Sequence, residues 1–131
     1  SLSNLSSSAT LFILIHQTAL TDLTGLESLT SANNITIRLN DNLVSLTGLD
    51  NISDVDDFHI IGNAILENFI EFDNLTTVRN LSIVDDSSLT SISGLTNLTS
   101  ITGDLLIENN PLLSSLSPFV NVTSIGGKLT I

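Results

Sequence analysis

The sequence predicts a mainly β fold: a right-handed parallel β-solenoid of about six coils, each of 23–24 residues. Three observations carry this reading. Seven apolar columns recur with a period of 23 or 24 residues, each period opens on an L-x-I unit, and a polar residue returns at the sixth place of every period. The chain of 131 residues is read as a single repeat domain.

The coils follow in order. Residues 1–11 are the tail of an earlier coil. Full coils then span 12–34, 35–57, 58–80, 81–104 and 105–128, and Leu129-Thr130-Ile131 begin another. In the second full coil the apolar columns are Ile35, Ile37, Leu43, Leu46, Leu49, Ile52 and Val55. In the fourth they are Leu81, Ile83, Leu89, Ile92, Leu95, Leu98 and Ile101. Ala32 is the one small entry among all five copies.

Each element has a local reason. The L-x-I unit alternates in and out as a strand with one buried face does. The later part of each coil is apolar at every third place, with Gly25, Gly48 and Gly94 in matching positions. Period three does not suit a long helix; it suits short extended or 3₁₀ segments joined by corners. The sixth place holds Gln17, Asn40, Asn63, Asp86 and Asn110. A polar side chain at a corner just after a buried strand is placed to hydrogen-bond the turn, and stacked copies predict an internal ladder.

Composition excludes several classes of function. Fourteen acidic residues stand against three basic ones (Arg38, Arg79 and Lys128), a formal net charge of −11. Such a chain repels nucleic acid, whose phosphates need clustered Lys and Arg. At 41% hydrophobic residues it has enough apolar surface for a core. Cys, Met, Trp and Tyr are absent, so there is no disulfide, thiolate ligand, cysteine nucleophile or Trp/Tyr platform for stacking. The longest apolar run, Leu11 to Ile15, is too short to span a bilayer, and direct membrane insertion is not expected. The start shows no signal-peptide pattern, which reads as a processed product or a segment of something longer.

The pattern carried by "LSIVDDSSLTSISGLTNLTSITGD" (81–104) and "LLIENNPLLSSLSPFVNVTSIGG" (105–127) resembles the leucine-rich repeat, in particular the receptor L-domain variety. The resemblance covers essentially the whole chain. It implies an extracellular or cell-surface solenoid used for recognition, adhesion or structure. Receptor L domains are typically closed by disulfide-bonded ends, which this cysteine-free chain lacks, and the third copy has Phe69-Ile70-Glu71-Phe72 in place of L-x-G-L.

No catalytic residues, metal ligands or cofactor are expected. The carboxylates Asp54, Asp56 and Asp57 and the pair Asp85-Asp86 are the candidates for the paired acids of a polysaccharide hydrolase, and a solvated face is the better reading of them. Asp56 shares a column with Arg79, which predicts an ion pair between coils, and Asp86 belongs to the corner ladder. The spaced Asp/Gly signature of a calcium loop is missing. His16 and His59 stand in different columns, which does not make a metal site.

The candidate interaction face is the outward side of the strands: Thr36, Arg38, His59, Ser82, Leu106 and Glu108, with Ile61 and Val84 among them. Asn-x-Ser/Thr, the N-glycosylation acceptor pattern, occurs at Asn4, Asn34, Asn51, Asn74, Asn80, Asn97 and Asn121. Out-in-out alternation around a core residue accounts for much of this recurrence. Sugars at these exposed sites are expected only if a eukaryotic host secretes the chain. Neither terminus reads as a polar cap, which predicts either a segment of a longer repeat protein or end-to-end stacking into a filament. The expected partners are a protein or glycan surface, or further copies of the chain.

Overall fold

The structure, a computed structural model, describes residues 12–131, with side chains from Ile15 onward. The partial coil 1–11, with Asn4 and Ser6, lies outside the described residues. Eight strands form one parallel sheet. They are β1 (Phe12–Ile15), β2 (Ser31–Arg38), β3 (Asp54–Ile61), β4 (Thr77–Val84), β5 (Ser100–Ile101), β6 (Leu105–Glu108), β7 (Ser124–Ile125) and β8 (Leu129–Thr130). The register steps by one repeat each time: Ile35 faces Phe58, Phe58 faces Leu81, Leu81 faces Leu105, and Leu105 faces Leu129.

The fold is a parallel β-solenoid of about four turns rather than about six. Four coils, from 12 to 104, stack along their strands. The fifth contributes only short pairings, and the strand that follows it, β8, has two residues. The two 24-residue copies carry their extra residue between Ile101 and Leu105 and again between Ile125 and Leu129. That extra residue splits the eight-residue strand of the earlier coils into β5 plus β6, and then into β7 plus β8.

The period-three spacing has a direct backbone cause. Leu26 N–H donates to Leu23 O, and Leu29 N–H to Leu26 O. The same i to i−3 bond joins Leu49 to Leu46, Ile52 to Leu49, Leu75 to Phe72, Leu95 to Ile92 and Leu98 to Leu95. Each such turn brings the next apolar residue back to the inside. In two coils the turns tighten into 3₁₀ segments, Ser93–Leu95 and Ser117–Asn121.

The columns meet in one core. Ile35, Ile37, Leu43, Leu46, Leu49 and Ile52 are fully buried, as are their counterparts through Ile101. Each such side chain contributes about 1.5–3 kcal/mol. Phe72 makes edge contacts with Phe58 at 4.9 Å and Phe69 at 5.9 Å, so three aromatic rings fill the centre of the coil that departs from the consensus. In the last coil Leu113, Leu116, Phe119, Val122 and Ile125 are only partly buried.

A tight corner follows each long strand. His16, Leu39, Gly62, Asp85 and Asn109 all adopt positive φ, between 54° and 66°. They hold the same place in five coils, immediately before the ladder residue. Gly48 is tighter still: its φ is 111°, and a Cβ there would lie 2.0 Å from the Leu23 carbonyl oxygen.

Candidate interaction face and its supporting ladders

The inner ladder runs through the sixth place of each coil. Gln17 N–H donates to Asn40 Oδ1 at 2.9 Å, and Asn40 N–H to Asn63 Oδ1 at 3.2 Å. Asn63 N–H donates to Asp86 Oδ1 at 2.7 Å, and Asp86 N–H to Asn110 Oδ1 at 3.0 Å. The backbone amides of Gln17, Asn40, Asn63 and Asp86 are thus each satisfied by the coil that follows. The carboxamides also give hydrogens backward, from Asn63 Nδ2 to Ile37 O at 3.1 Å and from Asn110 Nδ2 to Ile83 O at 2.9 Å. Gln17, at the start of the column, is exposed and turns its Nε2 to Ile15 O.

Asp86 is the chemical exception. Its side chain has no amide hydrogen to give, it is fully buried, and its Oδ2 has no hydrogen-bond partner. Burial pushes its carboxyl up to about 6, against the pull of the Asn63 donors and with a further push from Asp85.

A second ladder flanks the sheet face, and it was not recognised from the sequence. Asn80 Nδ2 donates to Asp57 Oδ1 at 2.7 Å, Asp104 N–H to Asn80 Oδ1 at 2.8 Å, and Lys128 N–H to Asp104 Oδ1 at 2.7 Å. Asn34, at the head of this column, accepts from Thr36 Oγ1 at 2.8 Å. The signal was present: the residue just before the L-x-I unit is Asn34, Asp57, Asn80 and Asp104 in successive coils. Arg79 pairs with Asp57, correcting the expected partner Asp56. Arg79 reaches past its own column to the neighbouring residue, while Asp56 accepts from Asn33 Nδ2 of the preceding coil at 3.3 Å.

These ladders fix a face one strand deep. Thr36, His59, Ser82 and Leu106 lie in register across β2, β3, β4 and β6, and so do Arg38, Ile61, Val84 and Glu108. At the usual strand separation each row spans about 14 Å. Arg38 and Glu108 stand exposed on either side of half-buried Ile61 and Val84, and exposed Ile15 continues the row beyond Arg38. His59 is half-buried, and desolvation holds its imidazole below the usual histidine range despite the opposing charge of Asp57. The face therefore carries a neutral imidazole at pH 7 and an apolar pair, Ile61 and Val84, flanked by one exposed charge of each sign.

The Asn-x-Ser/Thr column of Asn51, Asn74, Asn97 and Asn121 lies elsewhere on the coil and reaches back one repeat. Asn51 Nδ2 donates to Glu27 O at 2.7 Å, Asn74 to Asp50 O at 3.1 Å, Asn97 to Asp73 O at 2.8 Å and Asn121 to Thr96 O at 2.8 Å. The companion hydroxyls do likewise: Ser53 to Thr30 O, Thr99 to Thr76 O and Thr123 to Thr99 O. In the triplets of Asn51, Asn97 and Asn121 both polar members are clamps between coils, and the residue between them packs in or against the core.

The remaining acids are spread out. Glu71 replaces the corner glycine of its coil and is buried. Its Oε1 accepts from Ser45 Oγ at 3.1 Å and Thr47 Oγ1 at 3.2 Å, and its Oε2 from Ile70 N–H at 2.6 Å. Glu27 and Asp50 accept from the corner amides of Gly25 and Gly48. Asp85 accepts from Asn109 Nδ2 at 2.9 Å, and Asp54 is exposed on β3. His16 is exposed at its corner, far along the chain from His59. Among the described residues no three His, Asp or Glu side chains converge as metal ligands, and no helix is long and apolar enough to cross a membrane.

Compared with known proteins, the chain matches no family model, no curated protein and no solved structure.

Proposed function

We propose that this chain is a non-enzymatic leucine-rich-repeat module, of the receptor L-domain type, that works outside the cell or on its surface in adhesion, recognition or surface structure. The observation that carries this reading is the contrast between frame and face. The inner columns and ladders repeat from coil to coil, while the outward row changes from Thr36 to His59, Ser82 and Leu106. A rigid frame with variable outward residues is what a recognition surface requires. The carboxylates of Asp57, Glu71, Asp86 and Asp104 accept hydrogen bonds from the frame, which favours a structural role for them over a catalytic one.

The test uses labelled chain on arrays of glycans and cell-surface proteins, beside a variant combining Arg38→Glu, His59→Ala and Leu106→Ser. Saturable binding that weakens at least tenfold in the variant, with an unchanged circular dichroism spectrum, is the expected result. Equal binding by both proteins, or none by the wild type, overturns the reading.

A second reading, a filament segment built by end-to-end stacking, has its own observation. The last coil presents an apolar cleft of about 340 Å³ lined by Leu105, Leu116, Phe119, Ile125, Leu129 and Ile131. A further coil, of this polypeptide or of another copy, would cover it. Light scattering on the 131-residue chain separates the cases, since a concentration-independent monomer removes the self-stacking one.

Glycosylation of Asn34, Asn51, Asn74, Asn80, Asn97 and Asn121 belongs to the same reading. An N-linked sugar replaces one Nδ2 hydrogen and leaves the other for the clamp. Neighbouring sugars in the column of Asn51, Asn74, Asn97 and Asn121 would sit only about 5 Å apart, so full occupancy would crowd them. Intact mass of the secreted chain counts them.

A further inference from the structure

The inner ladder is built for carboxamides and contains one carboxylic acid. In Asn63 and Asn110 the side chain does two things at once: its oxygen accepts from the preceding corner amide, and its nitrogen gives a hydrogen to a strand carbonyl of the preceding coil. Those carbonyls are Ile37 O for Asn63 and Ile83 O for Asn110. Asp86 does the first through Oδ1, which accepts both Asn63 N–H and Asn63 Nδ2. It lacks the second. By the repeat, the acceptor awaiting that hydrogen is the carbonyl of Ile60, which stands in register with Ile37 and Ile83. The other carboxylate oxygen, Oδ2, is buried without a partner.

We propose that Asp86 is a proton-operated joint between coil 58–80 and coil 81–104: a proton on Oδ2 supplies the missing ladder hydrogen, and its loss opens a defect there. The proton comes from solvent and no other bond changes. With the proton bound, Asp86 both accepts from the preceding coil and gives one hydrogen backward, as Asn110 does; the second, forward hydrogen of Asn63 Nδ2 has no counterpart in it. Without it, a buried negative charge has hydrogen-bond donors on one oxygen only.

The surroundings favour the protonated form. Asn63 in the preceding coil and Asn110 in the following one are uncharged. Asp85, beside it and held by Asn109, adds like charge, and Glu108 on the following strand is exposed. No cation faces Asp86 among these neighbours. Burial and Asp85 together place the titration near 6, above the 3.8 of an ordinary aspartate. The sign follows. The raised value means that the folded chain binds this proton more tightly than the unfolded chain does. Stability from this group is complete below about 3.8 and is lost as pH rises through about 6.

The experiment compares wild type with Asp86→Asn, the residue the ladder uses elsewhere, by urea unfolding followed in the far ultraviolet from pH 4 to 7.5. The difference between the two proteins isolates this group from the general relief of acidic repulsion. The ratio of wild-type to variant unfolding constants should rise by on the order of 10–100-fold across that range. A parallel ¹³C-carboxyl titration of wild-type Asp86 reads the same event without any substitution. Asp85→Asn, which keeps a left-handed-tolerant residue, should move the Asp86 midpoint downward. A flat ratio, or an Asp86 carboxyl that titrates near 4, overturns the proposal.

Discussion

Replacing Asn63 by Ala removes the best-connected member of the inner ladder. Four losses follow from the geometry. The buried Asn40 N–H and Asn40 Nδ2 both lose their acceptor at 3.2 Å, Ile37 O loses a donor at 3.1 Å, and Asp86 loses the carboxamide donor at 3.2 Å. An orphaned buried amide costs about 1–3 kcal/mol and each further hydrogen bond about 1 kcal/mol, so the variant should lose about 4–6 kcal/mol. For a domain whose whole stability is about 5–15 kcal/mol this is a large fraction, equivalent to a fall in Tm on the order of 10 °C or more. The chain has no Trp or Tyr, so unfolding is followed by circular dichroism in urea rather than by fluorescence. Asn33→Ala is the control: that side chain is exposed and holds one long bond to Asp56, so its loss should cost under about 0.5 kcal/mol. If Asn63→Ala stays within about 1 kcal/mol of wild type, the ladder is not what satisfies these corners and the reasoning fails.

Other substitutions test the frame separately. Gly25→Ala and Gly48→Ala share a positive φ, at 104° and 111°, but only the second drives a Cβ into the Leu23 carbonyl. Gly25→Ala should cost about 1–2 kcal/mol and Gly48→Ala about 3 kcal/mol or more, both read from urea midpoints. Phe72→Ala, which empties the space between Phe58 and Phe69, should cost about 3–5 kcal/mol in the same assay. Arg79→Ala removes an ion pair whose Arg side chain is 55% exposed; it should cost under about 1 kcal/mol and lose even that in high salt.

The core was readable because its chemistry repeats. Leu43, Leu46 and Leu49 recur at fixed spacing with nothing else competing for those places, so the apolar columns and the strand faces followed from the pattern alone. The inner ladder was readable for the same reason, since Asn40, Asn63 and Asn110 keep one residue type. The left-handed corner was not. His16, Leu39, Gly62, Asp85 and Asn109 share a backbone conformation and no side-chain chemistry, so nothing in their identities marks the column. The Arg79 partner was misplaced because column position fixes where a Cβ starts, not how far a long side chain reaches. The outward face was located by alternation, but its chemistry lies in residues that do not repeat, and a pattern is silent about those.

The two sets of inter-coil bonds point in opposite directions. Corner amides are satisfied by the coil that follows, through Asn40, Asn63, Asp86 and Asn110, whereas Asn51, Asn74, Asn97 and Asn121 give their hydrogens to the coil before. Each coil is consequently a complete adaptor, with one socket and one plug on each side. Removing or duplicating a whole coil rejoins matching ends and keeps the ladder amides at the new junction supplied with acceptors. Removing a few residues within a coil mismatches both sets together. Length in this protein is quantised: it can change cheaply by whole coils and hardly at all by anything less.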